Sequence, residues 1–213
     1  MSSKKEALAQ FHRDNIIAAA KELFAAKGIE ASSMDEISAK AEYSKSTVYV
    51  YFTGKDDIYY NIVNEYMNQL YEGIADIMAQ NKGFKTRYFA ICNLLVSFYE
   101  KYPMYCEYIL GKISVDPADF ERLPVLKSIF ETGEKINALM VTLLQEDLEG
   151  GANDKNIRPV PAGLVFWASI SSLITFSANK EDYFKTHLGM SKEDFLKFGF
   201  NLLFQGLKRW SST

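Results

Sequence analysis

Hydroxyls and lysines gather in two short stretches near the N-terminus, in a pattern suited to holding phosphates and reading base edges. Ser33 precedes Met34-Asp-Glu-Ile37, and Ser44 precedes Lys45-Ser-Thr-Val-Tyr-Val-Tyr-Phe52. Each serine stands where an N-cap is wanted, so each can open a short helix. Met34, Ile37 and Ala41 fall on one face of the first helix, Val48 and Phe52 on one face of the second. The second helix is left presenting Ser44, Lys45, Ser46, Thr47 and Tyr49. Short donors at a helix N-terminus are what phosphate and base-edge contacts require. Further on, Thr53-x-x-Asp56 predicts another helix start beside Lys55, where cation and helix terminus both favour an anion. Two short helices joined by a tight turn form a helix-turn-helix, which lays its second helix in the DNA major groove. The same pattern also serves as plain packing or as a protein-docking module.

The elements that must position these groups read as helices throughout. No β-type alternation is sustained and no internal repeat appears. The first helix is expected over about Asp14 to Lys27, with Ile16, Ile17, Ala20, Leu23 and Phe24 inward and Gly28 ending it. After the two short helices, a long one runs from about Lys55 toward Gln80. Others cover about Phe84 to Tyr102, Met104 to Ile113, and Pro124 to Leu148. The Asp116-Pro117 region reads as a connector and Asn153 to Pro161 as the clearest loop. Two final helices follow, about Pro161 to Ala178 and Ser191 to Trp210, the latter opened by a Ser191-x-x-Asp194 cap. The expectation is an all-α chain of about nine helices. Residues 1–54 form an N-terminal three-helix DNA-binding domain, and 55–213 a helical ligand-binding and dimerisation domain.

Residues 14–58 resemble the N-terminal domain of the tetracycline-repressor (TetR) family of bacterial transcription regulators. The resemblance rests on Ile16-Ile-Ala-Ala-Ala-Lys-Glu-Leu-Phe24 with Lys27-Gly28, Ser33-Met-Asp-Glu-Ile37, Ala41, Ser44-Lys-Ser-Thr-Val-Tyr49, Tyr51-Phe52, and Gly54-Lys-Asp-Asp-Ile58. It implies a phosphate contact for Ser33 and groove contacts for Lys45, Ser46 and Thr47. It implies a DNA-backbone contact for Tyr49 and a further phosphate for Lys55. The chain departs from the family at the turn, where Glu42 replaces the usual glycine and Tyr43 a small aliphatic. Val50 stands where the family often has a polar residue, and offers only apolar contact, as with a thymine methyl. Glu42 fits the turn only with backbone strain or a changed geometry.

Beyond this domain, the tyrosine-rich middle helices would enclose a small-molecule effector in a TetR-like body. Tyr66, Leu70, Tyr88, Cys92, Tyr99, Tyr105, Tyr108 and Phe130 are the candidates, and their character favours a hydrophobic or aromatic ligand. The last two helices carry more apolar surface than one core can take. The resemblance assigns that excess to a homodimer through Phe166, Ser169, Leu173, Phe176, Phe195, Leu202, Leu203, Gly206 and Trp210.

Composition narrows the alternatives. The formal charge is −3, with eight cations against seven anions in residues 1–55 and sixteen against twenty beyond. That distribution permits nucleic acid without requiring it. Cys92 and Cys106 read as free, buried thiols in a reducing cytosol. His12 and His187 lack metal-ligand spacing, so no metal and no cofactor is expected. Val160 to Asn179 is uncharged over a membrane-span length, but five hydroxyls dilute it and no second span accompanies it, so no membrane role is expected. The start of the chain has no secretory character, which points to the cytoplasm. No nucleophile–base set, phosphate loop or catalytic carboxylate pair is visible. The leading expectation is therefore a repressor released from palindromic double-stranded operator DNA by an apolar effector. The competing one is an all-α carrier or enzyme.

Overall fold

The computed structural model describes residues 4–111, 113, 116–149 and 159–210, leaving aside the side chains at 146–149, 159 and 207–210. Among them the chain is helical, with no strand. The helices are α1 (Lys4–Lys27), α2 (Met34–Lys40), α3 (Lys45–Tyr51), α4 (Lys55–Ala79), α5 (Phe84–Lys101), α6 (Pro103–Gly111), α7 (Pro117–Arg122), α8 (Pro124–Glu149), α9 (Pro159–Ala178), α10 (Glu181–Tyr183) and α11 (Lys192–Trp210). One π-helical turn, Phe184–Leu188, continues α10 and closes on Gly189 at φ +60°.

Three outcomes differ from expectation. Helix α1 begins at Lys4, because Glu6 and the following Ala-Leu-Ala run continue a helix that the Asp14 boundary cut short. The Asp116-Pro117 connector is instead α7, opened by Asp116 accepting from the Ala118 amide at 2.9 Å with proline in the first turn. It buries none of its residues, so no apolar stripe announced it. The Glu181–Leu188 stretch was likewise not anticipated as helical. The loop expected over 153–161 lies largely outside the described residues.

The chain forms two compact units. The first takes residues up to Tyr66 together with Asp116–Ser128, and the second Met67–Val115 and Ile129 onward. The division into these compact units falls within α4. Ile16, Ala20, Phe24, Ile37, Val48, Phe52, Ile58 and Ile62 make the fully buried core of the first unit. Arg13 spans it on one side, with its guanidinium over the Phe52 ring at 4.4 Å and bonds to Tyr51 O and Asn61 Oδ1. In the second unit Tyr88 sits among Phe89, Phe166 and Phe204, all with ring centroids within 5.2 Å of it. Its hydroxyl donates to Phe200 O at 2.8 Å, tying α5 to α11. Helices α9 and α11 approach closely where Gly199 meets Leu173: a Cβ on that glycine would stand 2.9 Å from Leu173 Cδ1.

Candidate functional site

Hydrogen bonds at the two ends of α2 fix how it meets α3. Ser33 caps α2 by accepting from the Glu36 amide, and Glu36 accepts from the Ser33 amide at 2.9 Å, a reciprocal capping box. Hydrogen bonds from Lys27 and then Ser33 hold the Glu36 carboxyl at about 2. At the other end of α2, the Tyr43 amide donates to Ser38 O and the Glu42 amide to Ala39 O. That is the Schellman pattern, whose C′ residue must be left-handed. Glu42 holds that place at φ +60°, the one non-glycine residue at positive φ among those described. The strain anticipated from the sequence is present.

Tyr43, the second departure, has its own anchor. Its hydroxyl lies 2.7 Å from His12 Nδ1 and accepts from Asn15 Nδ2 at 3.2 Å. The rings of His12 and Tyr43 meet edge to face. A small aliphatic could reach neither partner, so here the turn is fastened to α1 by polar contacts.

Ser44 caps α3, accepting from the Thr47 amide at 3.1 Å, with the Ser46 and Thr47 hydroxyls at 2.9 and 2.7 Å from its own. Val48 is buried, which turns Lys45, Ser46, Tyr49 and Val50 outward; Val50 is 76% exposed. Lys45 pairs with Asp35 of α2 at 2.6 Å, and that carboxylate raises its pKa. Lys55 has backbone partners in the loop before α2. Its ammonium donates to Ile29 O at 2.8 Å and Glu30 O at 3.3 Å, closing the α1–α2 loop. The cap beside it pairs Thr53 with Asp57 rather than Asp56, through both the amide and the hydroxyl.

This arrangement is matched by known proteins. The model of bacterial regulatory proteins of the tetR family fits residues 16–61, from the core face of α1 through α3 into α4. Residues 16–61 match the N-terminal segment of the TetR family. The HTH-type transcriptional regulator YuxN of Bacillus subtilis is 32% identical over 73 residues, 34% of this chain and 25% of YuxN. The transcriptional activator FasR of Mycolicibacterium smegmatis is 27% identical over 88 residues, 41% of this chain and 40% of FasR. The matches thus span a quarter to two fifths of these relatives. The solved structure of the regulator FadR from Bacillus subtilis, in complex with stearoyl-CoA, superposes with a TM-score of 0.65 over 89% of this chain and 96% of that one, at 18% identity. It shows a shared fold.

The candidate effector residues, Tyr66 at the end of the first unit and the other seven in the second, are mostly core. Leu70, Tyr88 and Cys92 are essentially inaccessible, and Tyr66 and Tyr105 are 7% exposed. Tyr99, Tyr108 and Phe130 are half-buried. Burial pushes the Tyr88 phenol far above its usual range and the Cys92 and Cys106 thiols up to about 12, leaving all three neutral. None of the eight candidates is among the described residues that line one cavity of the second unit. It measures about 220 Å³ and is walled by α6 residues Ile109, Leu110 and Gly111, α8 residues Gly133, Ile136 and Asn137, and Met67, Ile113, Leu164 and Trp167. Tyrosines that can satisfy their hydroxyls inside are core material, and periodicity alone does not separate core from cavity wall. The signal available in the sequence was a glycine and an asparagine on the otherwise apolar α8 stripe.

The candidate dimer residues divide. Ser169, Leu173, Phe176, Leu202 and Leu203 line an apolar groove of about 390 Å³ along α9 and α11, together with Ser172 and Gly199. Phe176 is 48% and Leu202 63% exposed. Phe166 is 4% exposed, turned inward to Tyr88, which corrects its placement on the outer face. Phe195 is half-buried and stacks on Phe184 at 4.2 Å, while Gly206 is exposed. The Trp210 side chain lies outside the described residues. Helix α9 is long and apolar enough to cross a membrane, with a third of that window buried.

Proposed function

We propose that the chain is a cytoplasmic, homodimeric transcriptional repressor that binds palindromic double-stranded DNA through α3 and leaves it when a small apolar effector binds the second unit. The observation that carries the reading is the outward face of α3. Capped by Ser44, it combines an exposed cation, an exposed hydroxyl and two exposed side chains with apolar reach, over a buried Val48. Such a face suits insertion in a major groove. Lys45, Ser46 and Tyr49 serve backbone and base-edge contacts, and Val50 a thymine methyl. Ser33 and Ser44 offer hydroxyls at the heads of α2 and α3. Thr47 acts mainly through the cap, and Lys55 by holding the loop before α2 while keeping its charge near that loop. No catalytic role is proposed.

Dimerisation is supported by the apolar groove of α9 and α11, which a second copy would cover. Repression is the direction proposed here even though FasR is named an activator. The stearoyl-CoA of the Bacillus subtilis complex is a ligand of FadR.

The deciding experiment is selection of duplexes by the full-length protein, followed by affinity measurements across salt. Log affinity should fall linearly with log salt, and Lys45→Ala should flatten that slope by about one unit. Absence of salt-dependent binding to any selected duplex would refute the reading.

A further inference from the structure

We propose that the cavity between α6, α8 and α9 binds a small, neutral aromatic molecule of one or two fused rings bearing one N–H or O–H donor. The inference rests on the ligand-responsive reading above and names the effector class. Size sets the first limit. A cavity of about 150 Å³ accepts benzene, and this one measures about 220 Å³. The difference admits a second ring or a few substituents.

Charge sets the second limit. None of the ten lining residues carries a formal charge, so a carboxylate or phosphate would lose its water with nothing to replace it. Trp167 supplies an aromatic wall, and Asn137 the one amide side chain. Asn137 Nδ2 donates to Glu134 Oε1 at 3.0 Å, which orients the amide and leaves its oxygen to accept from a ligand.

Gly133 supplies the independent observation. It lies inside α8, where glycine is less stable than alanine. Three other helical glycines of this unit answer to steric need. A Cβ on Gly73 would stand 2.9 Å from Leu94, on Gly163 3.0 Å from Val141, and on Gly199 2.9 Å from Leu173. Gly133 has no such neighbour. A Cβ there would meet Ile113 at 3.5 Å and Met67 at 3.7 Å, ordinary contacts with two side chains of the cavity wall. What a side chain at 133 would occupy is the cavity itself.

The test is calorimetric titration of the full-length protein with indole, with indene as the same shape lacking the donor, and with stearoyl-CoA. Indole should bind the wild type at one site per chain, and Gly133→Leu should weaken it more than tenfold. Gly133→Ala, which the contact distances allow, should weaken indole without lowering Tm; it decides the matter if the leucine variant fails to fold. Asn137→Leu should cost indole about fivefold, one hydrogen bond, and leave indene unchanged. Equal indole affinity in wild type and both Gly133 variants would overturn the site. Binding of stearoyl-CoA that Gly133→Leu abolishes would overturn the ligand class. The same preparations are tested on salt-dependent duplex binding. Ring binding by a protein that ignores DNA supports this inference and removes the regulator reading. No ring binding at millimolar concentration by a protein that holds DNA removes this inference alone.

Discussion

Glu42 occupies a position whose backbone geometry asks for glycine. Its amide and that of Tyr43 close the end of α2, and the closure requires the left-handed region at residue 42. An L-residue there costs about 1–2 kcal/mol more than glycine, although part of this returns through the greater freedom of glycine in the unfolded chain. Glu42→Gly is therefore expected to stabilise the protein by about 1 kcal/mol, read as a higher urea midpoint at unchanged slope. An unchanged or lower midpoint would mean that the carboxylate contributes something the strain conceals. Removing an exposed carboxylate from the turn before α3 should also favour an approaching phosphate backbone.

At the scale of the element, α2 is held at its head by a titratable cap. Glu36 receives the Ser33 amide and hydroxyl and pairs with Lys27, so its folded-state pKa of about 2 lies below the ordinary carboxylate value of 4.5. A depressed carboxyl contributes stability that is complete above the unfolded pKa and is lost as pH falls through the folded one. Wild type should thus exceed Glu36→Gln in stability at pH 6, and the two should converge between about pH 4.5 and 2. Paired urea titrations across that range measure it. A gap that persists at pH 2 would assign the difference to packing rather than charge. Since α2 supports α3 through the turn and through the Asp35–Lys45 pair, loosening it should also weaken DNA binding.

For the whole molecule, assembly is the property that gives a helix-turn-helix its reach. Paired recognition helices read half-sites about 34–36 Å apart, which one copy cannot do. The apolar groove along α9 and α11 is the face proposed to pair. Leu202 is the informative position because it is 63% exposed in the single chain and so contributes little to its core. Leu202→Glu should convert a sedimenting dimer to a monomer at micromolar concentration while preserving helical content. A variant that remains dimeric would move the interface elsewhere. A wild-type monomer would remove palindrome reading altogether.

Local chemistry was readable from residue order alone. The caps at Ser33, Ser44 and Ser191, the glycine ending α1, the strain at Glu42 and the all-helical plan each depend on groups within a few residues of one another. Short-range hydrogen bonds and helical period decide such features, and both are written in the sequence. Tertiary structure decided the rest. It bound Tyr43 to His12 thirty-one residues away, committed Lys55 to the carbonyls of Ile29 and Glu30, and turned Phe166 inward. It also made Tyr88 a core post and left the open space to Gly133, Asn137 and Trp167. An apolar stripe states that a face is covered but not by what, because the hydrophobic effect has no direction. Whether a buried face meets a neighbouring side chain or a cavity depends on what distant helices bring to it.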